Sequence, residues 1–228
     1  MYSRLSSYYL TGVTFEGNHA YTAGGGLYAD RNAGTVTASI FSSNTSVRGA
    51  GMYVDDQDNG DAVLSMDSPL FVHNIASEDG GGLYVVNSPA GVLDGASFLY
   101  NQAATGSGGG MLLSSSEGYE LSDSSFEGNS AASGGGMCTD SSDATLTDTS
   151  FEENSSTQDG GGMLSSGAGS NLELINLTFS GNDAAGSGGG LSTASQNMTV
   201  VNAAFSGNYA GGNGGGLDTA SANIAIIN

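Results

Sequence analysis

All eight phenylalanines of the chain lie in one short motif, Phe-x-x-Asn, which recurs along its whole length. Successive copies are 25 to 30 residues apart. A period of this length indicates that one structural unit is repeated, and that each unit buries its apolar side chains against its neighbours. The motif residues are Phe15 and Asn18, Phe41 and Asn44, Phe71 and Asn74, Phe98 and Asn101, Phe126 and Asn129, Phe151 and Asn154, Phe179 and Asn182, and Phe205 and Asn208.

A second signature, three glycines followed by Leu or Met, comes five to seven residues after each motif. The second copy departs slightly and has Ala50 in place of its middle glycine. Most copies also have an aliphatic residue five positions before the phenylalanine and a turn-forming residue three positions before it. Each unit therefore consists of short extended segments separated by turns. Ser, Thr, Asn, Asp and Gly dominate every unit and disfavour a helix.

These units predict an all-β fold, a parallel β-helix (solenoid) of about eight coils with about 27 residues in each. Strands of successive coils would pair about 4.8 Å apart, so that equivalent residues form columns. We expect the phenylalanines, and the Leu and Met residues after the glycines, to fill the interior. The asparagines should form a column of hydrogen-bonded amides. We predict a single domain over residues 1–228 with both ends truncated, as a fragment of a longer protein.

The charge balance limits the partners that the chain can bind. There are 23 acidic and 3 basic side chains, which gives a net charge of −20. The three basic residues are Arg4, Arg31 and Arg48, so all of them precede residue 49. Nucleic acid would be repelled and is not expected as a partner. No segment approaches the roughly 20 apolar residues that a transmembrane helix needs.

The motifs themselves resemble a known family. Phe15-Glu16-Gly17-Asn18 and Phe179-Ser180-Gly181-Asn182, together with the glycine triplets, are similar to the repeat of the polymorphic outer membrane proteins first described in chlamydiae. In that repeat, FxxN accompanies GGA followed by Ile, Leu or Val. The resemblance covers about residues 10–228 and implies a right-handed parallel β-helix, similar to the pectin-lyase fold. It also implies an extracellular or outer-surface location, with adhesion to a host-cell or neighbouring surface protein or glycan.

The leading functional hypothesis is therefore a noncatalytic cell-surface or secreted β-helix passenger that serves adhesion or surface structure. One alternative is a carbohydrate-active β-helix, a polysaccharide lyase, hydrolase or epimerase with calcium-assisted binding. Another is a purely structural stalk. His19, His73, Asp123 and Asp148 are the candidate catalytic groups, but the histidines occupy unrelated places in their coils and the aspartates occupy a repeated corner, so no catalytic residue is assigned. Acidic groups should converge in one groove of an enzyme and be scattered around a scaffold.

One acidic cluster is a candidate metal site. Hard cations prefer oxygen-rich loops, so calcium could bind there. The alternative is a solvated insertion, because the glutamate expected at the twelfth place of a calcium loop is Met66. The cluster consists of Asp55, Asp56, Asp58 and Asp61.

Three tyrosines form a candidate ligand-facing ladder. Tyr28, Tyr53 and Tyr84 each follow a Leu or Met anchor, so the alternation of a strand places them outside on three consecutive coils. Such a ladder could stack on sugar rings or on a partner's side chains. Alternatively, the rings only cover the strand surface. Cys138 has the same place in a later coil, and we do not expect it to be reactive, because no basic residue lies near it in the sequence.

Overall fold

The computed structural model describes residues 1–4, 7–31, 34–56, 63–167, 170–221 and 223–228. Within those ranges every regular element is a β-strand. The strands form four parallel sheets, named A, B, C and D here, which the chain visits in that order once per coil. The fold is a parallel β-solenoid of about 8 turns with about 26 residues in each, as the repeat predicts. No described helix is long and apolar enough to cross a membrane.

The strands are short, and most are two to four residues long. Sheet A contains Tyr2–Arg4 (β1), Leu27–Asp30 (β4), Met52–Asp55 (β8), Leu83–Val86 (β12), Met111–Ser114 (β16), Met137–Asp140 (β20), Met163–Ser166 (β24), Leu191–Thr193 (β28) and Leu217–Thr219 (β32). Sheet B contains Tyr8–Thr11 (β2), Gly34–Thr37 (β5), Leu64–Asp67 (β9), Gly91–Asp94 (β13), Tyr119–Ser122 (β17), Ala144–Thr147 (β21), Asn171–Ile175 (β25), Asn197–Val201 (β29) and Asn223–Ile227 (β33).

The other two sheets carry the motif phenylalanines and the residues that follow the motif asparagines. Sheet C contains Thr14–Glu16 (β3), Ile40–Ser42 (β6), Leu70–Val72 (β10), Ser97–Leu99 (β14), Ser125–Glu127 (β18), Ser150–Glu152 (β22), Thr178–Ser180 (β26) and Ala204–Ser206 (β30). Sheet D contains Thr45–Ser46 (β7), Ile75–Ala76 (β11), Gln102–Ala103 (β15), Ser130–Ala131 (β19), Ser155–Ser156 (β23), Asp183–Ala184 (β27) and Tyr209–Ala210 (β31).

The phenylalanines form one continuous internal column. Phe41 is in register with Phe15 on one side and Phe71 on the other, and the same pairing continues to Phe205. Neighbouring ring centroids are 4.6 to 5.0 Å apart, and the rings are within 10° of parallel. Each ring therefore covers the face of the next, and the six rings from Phe41 to Phe179 are fully buried. Most of the apolar stabilisation comes from columns of this kind.

The motif asparagines form a second column beside it. In the middle of that column, the backbone N and side-chain Nδ2 of Asn74 both donate to Oδ1 of Asn101, at 3.0 and 2.9 Å. The same Nδ2 also donates to the carbonyl oxygen of Phe41 at 2.8 Å. This pattern links every asparagine from Asn18 to Asn208. The buried amides are thus satisfied, and each one fixes the corner after sheet C.

Two corners of each coil adopt the same left-handed backbone but tolerate different residues. The first glycine of each triplet has φ between 56° and 68°, and a Cβ on Gly24 would lie 2.6 Å from the carbonyl oxygen of Leu27. The corner three residues before each phenylalanine also has positive φ, but nothing lies within 4 Å of a Cβ built on Gly12. That column accepts Asp123 and Asn176. Crowding therefore selects glycine at the triplet, whereas φ alone does not.

The interior changes character along the axis. The second inward position of sheet A holds aliphatic residues in the third to fifth strands of the sheet, such as Val85 and Leu113, which are fully buried. Farther along, the same position holds Thr139 and Ser165, which are also fully buried and whose hydroxyls are 2.8 Å apart. A hydroxyl in a dry core needs a partner, and neighbouring coils supply one. In the described coils, the inward columns are thus occupied by buried side chains that pack on one another.

Candidate functional site

The outward column of sheet A is sheltered in a way that strand alternation does not predict. Leu112 and Cys138 point away from the interior, yet they are only 5% and 2% exposed. On sheet B, the outward residues Tyr9 and Val92 are 79% and 40% exposed. Because a strand by itself leaves its outward side chains in solvent, the burial of Leu112 and Cys138 means that chain segments rise on both sides of sheet A.

These segments enclose a concave strip, which we name the sheet A trough. Two successive depressions of about 350 and 250 Å³ lie along it. The residues before the glycine triplets form one wall, and the last outward residues of the strands form the other. The floor consists of Tyr28, Tyr53, Tyr84, Leu112, Cys138 and Leu164. The walls consist of Arg48, Glu78, Asp79, Ser107 and Ser133 on one side, and Asp30, Asp55, Val86, Ser114, Asp140 and Ser166 on the other.

The structure places the three predicted ladder tyrosines in the floor of the trough. The ring centroids of Tyr28 and Tyr53 are 5.0 Å apart with an interplanar angle of 19°, and Tyr84 meets Tyr53 edge-on at 5.2 Å. The rings are half-buried, and Tyr28 and Tyr53 turn their faces on each other. Their outer edges and hydroxyls therefore remain for a ligand, whereas flat stacking of sugar rings on these faces is hindered.

The tyrosine hydroxyls are neutral hydrogen-bonding groups over the whole physiological pH range. Burial is the main cause that raises the pKa of Tyr53, and the carboxylate of Asp55 raises it further. Burial and the carboxylate of Asp79 likewise raise the pKa of Tyr84. Both effects disfavour the phenolate, because it would be poorly solvated and would face another negative charge.

All three arginines lie close to the N-terminal end of this surface and contact carboxylates. Arg48 Nη2 is 2.8 Å from Glu78 Oε2, and its Nε is 3.7 Å from Asp79 Oδ2. Arg4 Nε lies 3.1 Å from Asp30 Oδ2. The chain has neither lysine nor arginine after Arg48. From Tyr84 onward, the acidic residues that line the trough are Asp79, which Arg48 contacts, and Asp140.

Cys138 is a buried free thiol in the trough floor. Burial is the main cause that raises the pKa of this thiol to about 12, and the carboxylate of Asp140 raises it further. A thiol with such a pKa is almost entirely protonated near neutral pH, and the thiolate is the reactive form. Cys138 therefore acts as a small apolar side chain here.

The predicted calcium cluster is only partly described. Asp55 faces outward on the trough wall, whereas Asp56 is buried. Asp58 and Asp61 lie outside the described residues. Within the ranges that the structure covers, no group of three or more His, Cys, Asp or Glu side chains is placed to hold a metal ion. The calcium site therefore stays a prediction.

The remaining candidate residues are dispersed over other faces. His19 Nδ1 is 2.8 Å from Thr45 Oγ1, and the ring of His73 stacks on Tyr100 with centroids 5.4 Å apart. Asp123 and Asp148 occupy the left-handed corner before sheet C, which agrees with their interpretation as turn formers. The two aspartates are stacked on adjacent coils at this corner, whereas His19 and His73 contact Thr45 and Tyr100 at other places in their coils.

A second concavity, of about 530 Å³, lies on the outer face of sheet B. It is lined by Glu120, Thr145 and Glu173, which are stacked in one outward column. Along its edge, Asn171 Nδ2 donates to both carboxylate oxygens of Asp143, at 3.0 and 3.1 Å. The repeat pattern predicts neither of these two concavities. The sequence does contain one indication of the trough, because apolar residues occupy the outward positions of sheet A after Tyr84.

Two family models match the chain. The model described as right handed beta helix region matches residues 70–228, which are 159 of the 228 residues. The model described as Chlamydia polymorphic membrane protein repeat matches residues 12–30. No curated protein and no solved structure matches the chain. The resemblance noted from the sequence is thus confirmed, and the repeat model implies an outer-membrane or surface location. With its coils in parallel register from end to end, the chain belongs to the right-handed β-helix family.

Proposed function

We propose that this chain is a noncatalytic passenger segment, secreted or displayed on the cell surface, that mediates adhesion through its outer faces. The observation that carries the proposal is the dispersal of acidic side chains around the coil. Asp140 lies outward on sheet A, Glu173 on sheet B, Glu127 on sheet C and Asp183 on sheet D. A scaffold that presents surface to a partner needs no convergence of these groups, whereas hydrolysis of a sugar needs two carboxylates at one bond.

The filled interior supports the same proposal. The phenylalanine and asparagine columns make a rigid rod, and sheet A alone has nine strands, so that its first and last strands are roughly 38 Å apart at about 4.8 Å per coil. Rigid elements present binding groups at low entropic cost. The partner would be a host-cell or neighbouring surface protein or glycan, and the charge of −20 favours a neutral or basic one.

Adhesion can be tested with beads that carry the purified chain. The expected result is saturable binding of these beads to target cells, which free chain in solution competes away. Protease treatment of intact source cells should remove the chain if it is displayed on the surface. Removal by protease without saturable binding would contradict the adhesive role and would favour the structural stalk.

A second candidate function rests on the sheet B groove. Glu120 and Glu173 are two coils apart in one column, so their backbones are about 9.6 Å apart, near the upper end of the separation between the two carboxyl groups of inverting glycosidases. The matching experiment is incubation with neutral polysaccharides and measurement of new reducing ends. A carbohydrate-active chain would release them, and Glu120→Gln would abolish the release. No release from any polysaccharide would remove this candidate.

A further inference from the structure

We propose that the outer face of sheet D carries a binding site for a neutral glycan, in which a sugar ring stacks on Tyr21. This inference rests on the proposed adhesive function and names the class of ligand that adhesion would use. It is carried by an exposed apolar concavity, a lining without acidic side chains and an aromatic ring with an open face.

The site is a concavity of about 440 Å³, which we name the sheet D groove. Two outward columns line it, one formed by residues directly after the motif asparagines and the other by residues two positions later. The first column consists of His19, Thr45 and Ile75, and the second of Tyr21, Val47, Ser77 and Ala104. Because Ser77 and Ala104 have small side chains, they leave a hollow beside Ile75. Tyr21 belongs to the first of these coils and bounds the groove at its N-terminal end.

The apolar surface of the groove is available to a ligand. Tyr21 is 89% exposed and Ile75 is 45% exposed, whereas Leu112 in the sheet A trough is 5% exposed. A ligand that covers Tyr21 and Ile75 removes apolar surface from water, and this removal favours binding. Ligand sites are commonly concave and mostly apolar, with a few polar groups that fix the orientation of the ligand.

The charge of the groove favours a neutral ligand. The chain has 23 acidic side chains, but the described residues that line the groove include neither Asp nor Glu. A cationic ligand would therefore meet no carboxylate there, and an anionic ligand would be repelled by the net charge of −20. Arg48 directly follows Val47, but its guanidinium contacts the carboxylate of Glu78 at 2.8 Å.

The Tyr21 ring offers a flat surface of the kind that a sugar ring needs. Within the described part of the chain, its ring contact is with His19, at a centroid distance of 4.9 Å and an interplanar angle of 81°. An edge contact of this kind covers at most one face of Tyr21, so the other face is open. In the sheet A trough, by contrast, Tyr28 and Tyr53 turn their faces on each other. The apolar face of a sugar can therefore stack on Tyr21.

Polar groups beside the ring complement the hydroxyls of a sugar. His19 Nδ1 is 2.8 Å from Thr45 Oγ1, and this contact orients the exposed imidazole and leaves Nε2 for a hydroxyl. Ser77 is also exposed, and its hydroxyl can donate or accept. A neutral apolar peptide would cover Ile75 but would not pair these groups, so the combination favours a sugar.

The test is an array of immobilised oligosaccharides that is probed with the labelled chain. The neutral probes are built from glucose, galactose, mannose or N-acetylglucosamine, and each has a sulfated counterpart. The chain should bind at least one neutral probe saturably, and on the order of tenfold more tightly than its sulfated counterpart. No saturable binding of any neutral probe, or equal binding of the neutral and sulfated forms, would overturn the proposal. Binding of an uncharged peptide of alternating valine and serine, but of no oligosaccharide, would also overturn it and would assign the groove to a protein partner.

Matched variants locate the contact. Tyr21→Ala removes the stacking ring and should weaken binding of the selected oligosaccharide on the order of tenfold, whereas Tyr21→Phe keeps the ring and should stay within about twofold. The control is Tyr209→Ala, because Tyr209 is 63% exposed on the same sheet but lies beside Asp183. This control should change affinity by less than about twofold. No loss with Tyr21→Ala, or an equal loss with Tyr209→Ala, would contradict the proposal. Circular dichroism of each variant verifies that the fold is retained.

The bead adhesion assay separates this inference from the proposed function. Reduced adhesion of beads carrying Tyr21→Ala, with normal adhesion of Tyr209→Ala, would support the sheet D groove as the contact surface. If Tyr21→Ala beads adhere as well as the unchanged chain, adhesion stands and the groove is not its contact surface. If the chain binds the array through Tyr21 but its beads adhere to no cell, the proposed function fails and the glycan site stands.

Discussion

Asp79 and Gly106 are coupled across two neighbouring coils. Oδ1 of Asp79 accepts a hydrogen bond from the backbone N of Ser107 at 2.9 Å, and it lies where a Cβ on Gly106 would be. Asp159 and Gly186 repeat the arrangement, because Ser187 N donates to Asp159 Oδ1 at 2.7 Å. Wherever an aspartate precedes the glycine triplet, the residue that faces it in the next coil is therefore a glycine. The aspartate carboxylate occupies the volume that a side chain at the glycine would need.

This coupling predicts a non-additive effect on stability. Gly106→Ala should lower the free energy of unfolding by about 1 to 3 kcal/mol, because the new Cβ displaces the Asp79 carboxylate and leaves Ser107 N without that acceptor. In an Asp79→Ser background the same substitution should have a smaller effect, because only the close contacts of the new Cβ with the backbone of Glu78, at 2.8 Å, remain. Chemical denaturation of the two single variants and the double variant measures the difference. Additive losses would contradict the coupling.

A second prediction concerns the crowded corner. Gly134 has φ 61°, and a Cβ there would lie 2.5 Å from the carbonyl oxygen of Met137. Gly134→Ala should therefore destabilise the fold by about 2 to 4 kcal/mol. The control is Gly181→Asn, at φ 64°, where the only neighbour of a Cβ is 3.7 Å away. Asparagine tolerates left-handed backbone, so this variant should stay within about 1 kcal/mol of the unchanged chain. Thermal denaturation compares them, and equal destabilisation would show that φ matters more than crowding.

A third prediction concerns the asparagine column. Asn129→Leu removes the acceptor for Asn101 and the donor to Asn154, and both remaining groups are buried. Leucine replaces neither hydrogen bond, and the backbone N of Asn101 also loses its acceptor, so the fold should be destabilised by about 3 kcal/mol. Asn197→Ala interrupts an exposed ladder in which water can replace the lost partner, and should destabilise it by less than about 1 kcal/mol. Similar decreases in the free energy of unfolding for the two variants, measured in urea, would contradict the structural role of the buried asparagine column.

A fourth prediction concerns alkaline pH. Burial raises the pKa of Tyr53 and of Tyr119 above the ordinary value of about 10 that applies in the unfolded chain. The unfolded chain therefore loses these protons first as pH rises. Their contribution to stability is complete below about pH 10 and decreases above it. Urea unfolding at increasing pH should show this decrease, and Tyr53→Phe should make it shallower. An unchanged pH dependence of stability in this variant would contradict the contribution of Tyr53 to the alkaline loss of stability.

A fifth prediction concerns Cys138. Because the pKa of its buried thiol is raised to about 12, Cys138 should react with a disulfide reagent at least about a hundredfold more slowly in the native chain than in denaturant near pH 8. The spectroscopic release of the reagent's leaving group measures the two rates. Leu112→Ala opens the neighbouring floor position and should increase the native rate. Rapid labelling of the unchanged native chain would show that the trough floor is open to the reagent.

The repeat alone determined the fold and its internal columns. Phenylalanine and asparagine at fixed places in every unit can satisfy burial and hydrogen bonding together only if the coils stack in register. It also placed Tyr28, Tyr53 and Tyr84 on the outside, because side chains alternate along a strand. These are local rules that each unit repeats, so a single sequence was sufficient to infer them.

Only the tertiary structure decided what the outer face of sheet A has become. From alternation, Leu112 and Cys138 should be exposed, but the walls bury them. The height of those walls depends on segments from other parts of each coil and on contacts between coils, such as that of Asp79 with Ser107. Contacts of this kind vary from coil to coil, whereas the period reports only what all coils share. The trough therefore depends on contacts between particular coils, whereas the fold follows from the sequence pattern that every repeat shares.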